Sequence, residues 1–223
     1  MIEVHDGETV VVKDGEDAVV LKGGQAIVEQ GGKATVWEGG AAEVNEGGWV
    51  EVHWHGTATV KDGGSATTVQ EGGDIYVENG GSALVTNGGW AEVRDGGTAT
   101  VENYGKAHVE MSGRVIVQDG GSAWANMEGE VEVREGGRAY LTDNGWADVY
   151  AGGEAEVDNK GMAYVYEDGN VTVRKGGKAY VYAGGTAYVD KGGKATVYPG
   201  GEARGEGKIT HEDLPTEDLA PSI

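Results

Sequence analysis

The side chains with the most regular spacing in this chain are tyrosines. Tyr150, Tyr166, Tyr182 and Tyr198 recur every sixteen residues, and Tyr164, Tyr180 and Tyr188 fall in the same segment. Phenol rings at a fixed interval can stack on one another and stabilise a sheet. They can also present ring faces to a partner protein or to sugars. Other candidates are weaker. Acidic residues open the corner at Asp62, Glu71, Asp95, Asp119, Glu135 and Asp143, where a ladder of carboxylates could collect calcium. Calcium-binding nonapeptide repeats need a further Asp that these octads lack, so turn formation is the simpler role. His53 and His55, near Glu51, offer two imidazoles but no third ligand, and they read as a corner irregularity. His108 is an isolated outward residue. No phosphate loop, nucleophile elbow or zinc-protease motif is present. No catalytic residue, metal or cofactor is expected.

These side chains are positioned by an eight-residue unit, seen in Asp95-Gly96-Gly97-Thr98-Ala99-Thr100-Val101-Glu102. With Asp95 as position 1, positions 5 and 7 are mostly Ala and Val. Two apart in an extended chain, they point to one face, while positions 4, 6 and 8 point to the other. Positions 2 and 3 are usually Gly-Gly, which permits a sharp corner with positive φ. Each octad therefore reads as a short strand and a turn, too small to bury its apolar face alone. Aromatics avoid positions 5 and 7, where Ile75 and Leu141 are the larger residues. The expected core is thin, with no room for a ligand inside.

Two all-β architectures fit. One is a repetitive β-solenoid with two octads, sixteen residues, per rung. The other is a meander of short antiparallel hairpins, which would pair Glu29 with Lys33 and Glu102 with Lys106, but also Arg134 with Arg138. Position 8 favours the solenoid. One series holds the four tyrosines. The other reads Lys13, Glu29, Asn45, Lys61, Glu78, Arg94 and Glu110, then Asp158, Arg174 and Asp190. Alternating charge suits neighbours about 4.8 Å apart at an interval of sixteen. About 12 rungs would make a rod roughly 60 Å long.

In chain order, Ile2 and Val4 already sit at positions 5 and 7, so no capping helix precedes the stack and the N-terminal end is expected to be uncapped. Glu8 and Glu16 replace the second glycine of their octads. Residues 62–70 form a nine-residue octad, read as a bulge at Ala66-Thr67-Thr68-Val69. The repeat covers residues 1–206. Residues 207–223 form a tail of different composition, in which Leu214, Leu219 and Ile223 could cap the last rung or dock on a partner. The formal net charge of −21 makes free nucleic acid an unfavourable partner and guards a β-repeat against edge-to-edge aggregation. No apolar run is long enough to span a bilayer, and the start lacks the features of a signal peptide. Membrane insertion is not expected, and the expected location is cytoplasmic or virion-associated. Cysteine is absent, so no disulfide or thiolate site can form.

The Gly-Gly-x-Ala-x-Val octads resemble octapeptide arrays of bacterial and phage proteins. More loosely, they resemble the Gly-Gly-Thr-Ala repeats of autotransporter passenger domains. The resemblance covers residues 1 to about 206 and implies surface, virion or adhesin-like roles. The expected function is that of a non-enzymatic structural protein: a rigid acidic rod that self-assembles or binds a protein partner through its aromatic face and uncapped end. Two alternatives stand beside it. One is an acidic DNA mimic that inhibits a nucleic-acid enzyme, against which Lys and Arg are interleaved among the acids. The other is a carbohydrate-binding module using the tyrosine face.

Overall fold

The structure, a computed structural model, describes residues 1–69 and 72–213. It contains 27 strands, from β1 (Ile2–Val4) and β2 (Thr9–Val12) to β26 (Glu202–Gly205) and β27 (Lys208–His211). Odd-numbered strands form one 14-stranded sheet and even-numbered strands a second, 13-stranded one. Every pairing between adjacent strands is parallel, at an interval of sixteen residues through most of the chain, as for Thr98 with Arg114. The chain is a two-sided β-solenoid of about 13 turns. The antiparallel meander is overturned: octads pair with the next but one, never with their neighbour in sequence. At ~4.8 Å per coil the rod is about 60 Å long.

The octad explains the coil directly. Positions 5 and 7 face inward between the two sheets, and Ala99, Val101, Ala107 and Val109 are among the buried residues. Ile75 and Leu141 are also buried, at 0% and 2% exposure. The four-residue corners close with a bond from the position 3 amide to the position 8 carbonyl, as from Gly97 to Arg94 at 2.9 Å. The two corner glycines have different jobs. Position 2 takes positive φ, 80° at Gly96. Asn144 and Lys160 adopt the same conformation at 72° and 73°, so another residue is tolerated there at some strain. Position 3 is glycine because backbone passes beneath it. A Cβ on Gly97 would lie 2.7 Å from the Val77 carbonyl oxygen of the coil before. Position 3 is glycine in every octad from Gly24 to Gly201.

The nine-residue octad is not a strand bulge. β9 (Ser65–Thr68) has the ordinary four residues and pairs in normal register with β7 (Trp49–Val52). The extra residue falls after β9, and the interval to β11 (Ser82–Val85) becomes seventeen, as for Ser65 with Ser82. Thr68 takes the inward position of a valine and is fully buried. Its Oγ1 accepts the Thr86 amide at 2.7 Å and donates to the Thr86 carbonyl at 2.8 Å. A side-chain hydroxyl thus completes the ladder where the added residue has displaced backbone.

The ends also differ from expectation. The ladder runs past 206, because β27 at Lys208–His211 pairs with β25 (Lys194–Val197). Leu214, Leu219 and Ile223 lie outside the described residues. At the N-terminal end no helix covers β1 or β2, yet the end is not bare. In the body of the rod, the position 8 amide donates to the coil beneath, usually to a valine carbonyl, as Leu21 does to Val4 at 2.9 Å. The first two position 8 amides have no such carbonyl and use glutamates instead. His5 donates to Glu8 Oε2 at 2.8 Å and Lys13 to Glu16 Oε2 at 2.9 Å. Two corner amides of this end are thus satisfied within the chain, while β1 and β2 remain the outermost strands of their sheets.

Candidate functional site

Parallel stacking at a fixed interval converts the tyrosine spacing into a surface. β19 (Trp146–Val149), β21 (Met162–Val165), β23 (Lys178–Val181), β25 and β27 are neighbours in the 14-stranded sheet. Their outward residues form columns. Position 8 gives Tyr150, Tyr166, Tyr182 and Tyr198. Successive rings in this column stack, with centroids 5.0, 5.2 and 4.9 Å apart and planes within 11°, 6° and 19°. Position 6 adds Tyr164 on Tyr180, at 5.2 Å and 15°. Trp146 meets Tyr164 edge-on at 6.3 Å. The centroid spacing is close to the strand spacing of about 4.8 Å. Flat neutral rings therefore fill the column with little rearrangement, each stacked pair adding about 0.5–1.5 kcal/mol beyond its buried area.

One polar group is set into this surface. Tyr166 donates its hydroxyl to Asp148 Oδ1 at 3.2 Å. Burial pushes the Asp148 carboxyl above the usual carboxylate range. The Tyr166 hydrogen bond works against that shift, while Glu130 and Glu132 add to it. Burial likewise raises the phenols of Tyr150, Tyr164, Tyr166, Tyr182 and Tyr198 above their ordinary value of 10.0. The charge of Asp148 raises Tyr166 further.

A cationic column borders the rings. Position 4 reads Met162, Lys178, Lys194 and Lys208, and the three lysines are direct strand partners. Like charges at directly paired positions are unfavourable, and among the described residues no ion pair reaches these three. Between residues 171 and 211, seven Lys and Arg stand against three Asp and Glu, in a chain of net charge −21. The last coils are thus a basic, aromatic patch on an acidic rod.

Six of the seven expected tyrosines share this side. The seventh, Tyr188, does not join them. It lies on β24 (Thr186–Val189) of the opposite sheet, 48% exposed. Consecutive octads alternate between sheets, so a residue eight after Tyr180 must face the other way. The opposite sheet carries a second arrangement outside the seven expected tyrosines but for Tyr188. Trp124 stacks on Tyr140 at 5.3 Å, and a shallow trough of about 430 Å³ runs from Tyr140 to Tyr188 over Glu156 and Thr172. The signal was the even-octad aromatic series Trp124, Tyr140 and Tyr188.

The remaining candidates resolve locally. His53 stacks on Trp37 at 4.4 Å, and its Nε2 lies 3.6 Å from Glu51 Oε2. His55 sits at a corner with φ of 54°. Among the described residues no group of three or more His, Asp or Glu could hold a metal. Asp95, Asp119 and Asp143 take φ of 52°, 47° and 45°, in keeping with their turn role. No helix of the described residues is long and apolar enough to cross a membrane.

No family model matches this chain, and no curated protein matches it. A solved structure does. It is a crystal structure of a hyper-glycosylated TibA fragment whose glycosylation is catalysed by TibC. It is 29% identical, and the match covers 95% of this chain and 91% of that one with a TM-score of 0.52.

Proposed function

We propose that this chain is a non-enzymatic structural protein, a rigid acidic rod that binds another protein sideways through its tyrosine side. The reading places it in an assembly of the virion or surface kind that the octad resemblance implies. The observation that carries it is the coincidence, on the last coils, of two stacked tyrosine columns with an unpaired lysine column. Rings supply area at little entropic cost, and aromatic side chains are enriched where proteins bind one another, while lysines beside them steer a partner of opposite charge. Stacking accounts for the rings but not for lysines set directly beside lysines. A partner with carboxylates around an apolar centre satisfies both columns.

Light scattering coupled to size-exclusion chromatography, at low and high salt, tests this on the 23.1 kDa chain and on Tyr166→Ser/Tyr182→Ser. A stable oligomer dissociated by the double substitution makes the partner a second copy. A monomer at every concentration makes the partner a different protein, to be captured with the parent chain and lost with the variant. Association or capture unchanged by the double substitution overturns the reading.

Carbohydrate binding is a second reading, supported by the trough between Tyr140 and Tyr188, whose floor is hydroxyl and carboxylate. Loss of glycan binding in Tyr140→Ala, with Tyr166→Ser unaffected, would favour it.

A further inference from the structure

The first coil departs from the rest of the rod at position 3 of its two corners, and both departures point the same way. Position 3 is glycine at every corner that has a coil beneath it. The space there is closed by backbone: a Cβ on Gly24 would meet the Val4 carbonyl oxygen at 2.5 Å, and one on Gly32 the Val12 carbonyl oxygen at 2.4 Å. Glu8 and Glu16 hold position 3 at the first two corners, which have no coil beneath them in the structure. Their carboxylates accept the His5 and Lys13 amides at 2.8 and 2.9 Å. These are the donors that bond to the underlying coil everywhere else.

We infer that Glu8 and Glu16 are a stop built into the first coil. They close this end of the rod to stacking of another coil, whether from a second copy of this chain or from a segment ahead of residue 1. An incoming coil would have to place two backbone carbonyls against the two Cβ atoms. It would also find both amides already bonded to charged acceptors, which make stronger bonds than neutral ones. Exposed strand ends template edge-to-edge growth, and a head-to-tail contact of this kind would propagate into a fibre. The stop turns association onto the sides of the rod. The inference does not rest on the tyrosine reading.

Two experiments test it on the full chain. Amide hydrogen exchange at His5 and Lys13 should be slower in the parent than in Glu8→Ala/Glu16→Ala by at least about tenfold, with interior coils unchanged. Equal rates overturn the cap. In the second experiment, a copy of residues 33–48 is fused in register ahead of Met1, in the parent and in Glu8→Gly/Glu16→Gly. The added coil should be protected from exchange in the glycine variant alone. Protection in the parent overturns the stop. So does lack of protection in both, because the glutamates are then not what keeps the coil off.

Discussion

The two edges of the flat coil share one backbone and differ in what they do with it. Along one edge, Tyr150, Tyr166, Tyr182 and Tyr198 bond to one another in sequence, ring on ring. Along the other, the position 8 residues are largely charged, and their ion pairs leave the column. Lys61 reaches Glu43 at 2.8 Å and Arg174 reaches Glu156 at 2.9 Å, each on the coil before at position 6, and Arg94 pairs with Glu92 on its own strand. The same strand spacing therefore gives a continuous ladder only to planar, neutral groups. Charged groups at that spacing go diagonally, where side-chain length permits two opposite charges to meet. One edge is stiffened by its side chains; the other is mostly solvated charge.

Substitutions that ignore side chains should erase this difference, and they carry the largest expected effect. Gly121 and Gly129 are position 3 residues on opposite edges, and a Cβ on each would meet a valine carbonyl oxygen at 2.3 and 2.2 Å. Gly121→Ala and Gly129→Ala should each cost on the order of 3 kcal/mol, equally, in urea denaturation followed by circular dichroism. A clear inequality would show that the edges differ in backbone as well.

Side-chain truncation should restore the contrast. Tyr166→Ala removes two stacked contacts and should cost about 2 kcal/mol. Glu78→Ala on the charged edge should change stability by less than about 0.5 kcal/mol. Matching losses in the same denaturation experiment would sink the claim that only the ring edge is structural.

Alkaline titration separates the edges without mutation. The column phenols are raised above 10.0 in the folded chain, so folding favours their neutral form. That stability is complete below pH of about 10 and is lost as pH rises through the raised values. Phenolate absorbance should show these tyrosines ionising later than free tyrosine, with unfolding following their ionisation. Ionisation at the free value with the fold intact would mean that the rings are not packed in solution. The smallest effect belongs to Asp148, whose carboxyl is also raised by burial. Its protonated form stabilises the fold below the unfolded pKa, and this contribution disappears as pH rises through the folded value. Asp148→Asn should therefore raise the urea midpoint slightly near neutral pH and flatten the profile on the acid side. An unchanged profile would place the Asp148 carboxylate in water.

Much of this arrangement was legible from the octad. Alternation placed Ala99 and Val101 inside and the tyrosines outside, and the interval of sixteen identified the stacked partners. The failures have specific causes. Tyr188 was grouped with Tyr164 and Tyr180 because all three occupy position 6, although octad parity sends it to the other sheet. The charged series was read as a ladder because composition reports sign, whereas pairing depends on reach. Glu8 and Glu16 were visible as exceptions, but their meaning needed the position of the underlying carbonyl. Thr68 looked like an insertion within a strand because sequence cannot say which of nine residues the corner absorbs.

The joint at Thr68 bears on how the rod carries load. Pulled end to end, a solenoid is strained along its coil-to-coil hydrogen bonds, so the coils are links in series and the weakest link fixes the breaking force. Joints inside the rod otherwise hold four residue pairs in each sheet, whereas β9 and β11 hold three, with one hydroxyl in place of the fourth. Under tension the rod should part there first, leaving two stiff pieces of unequal length.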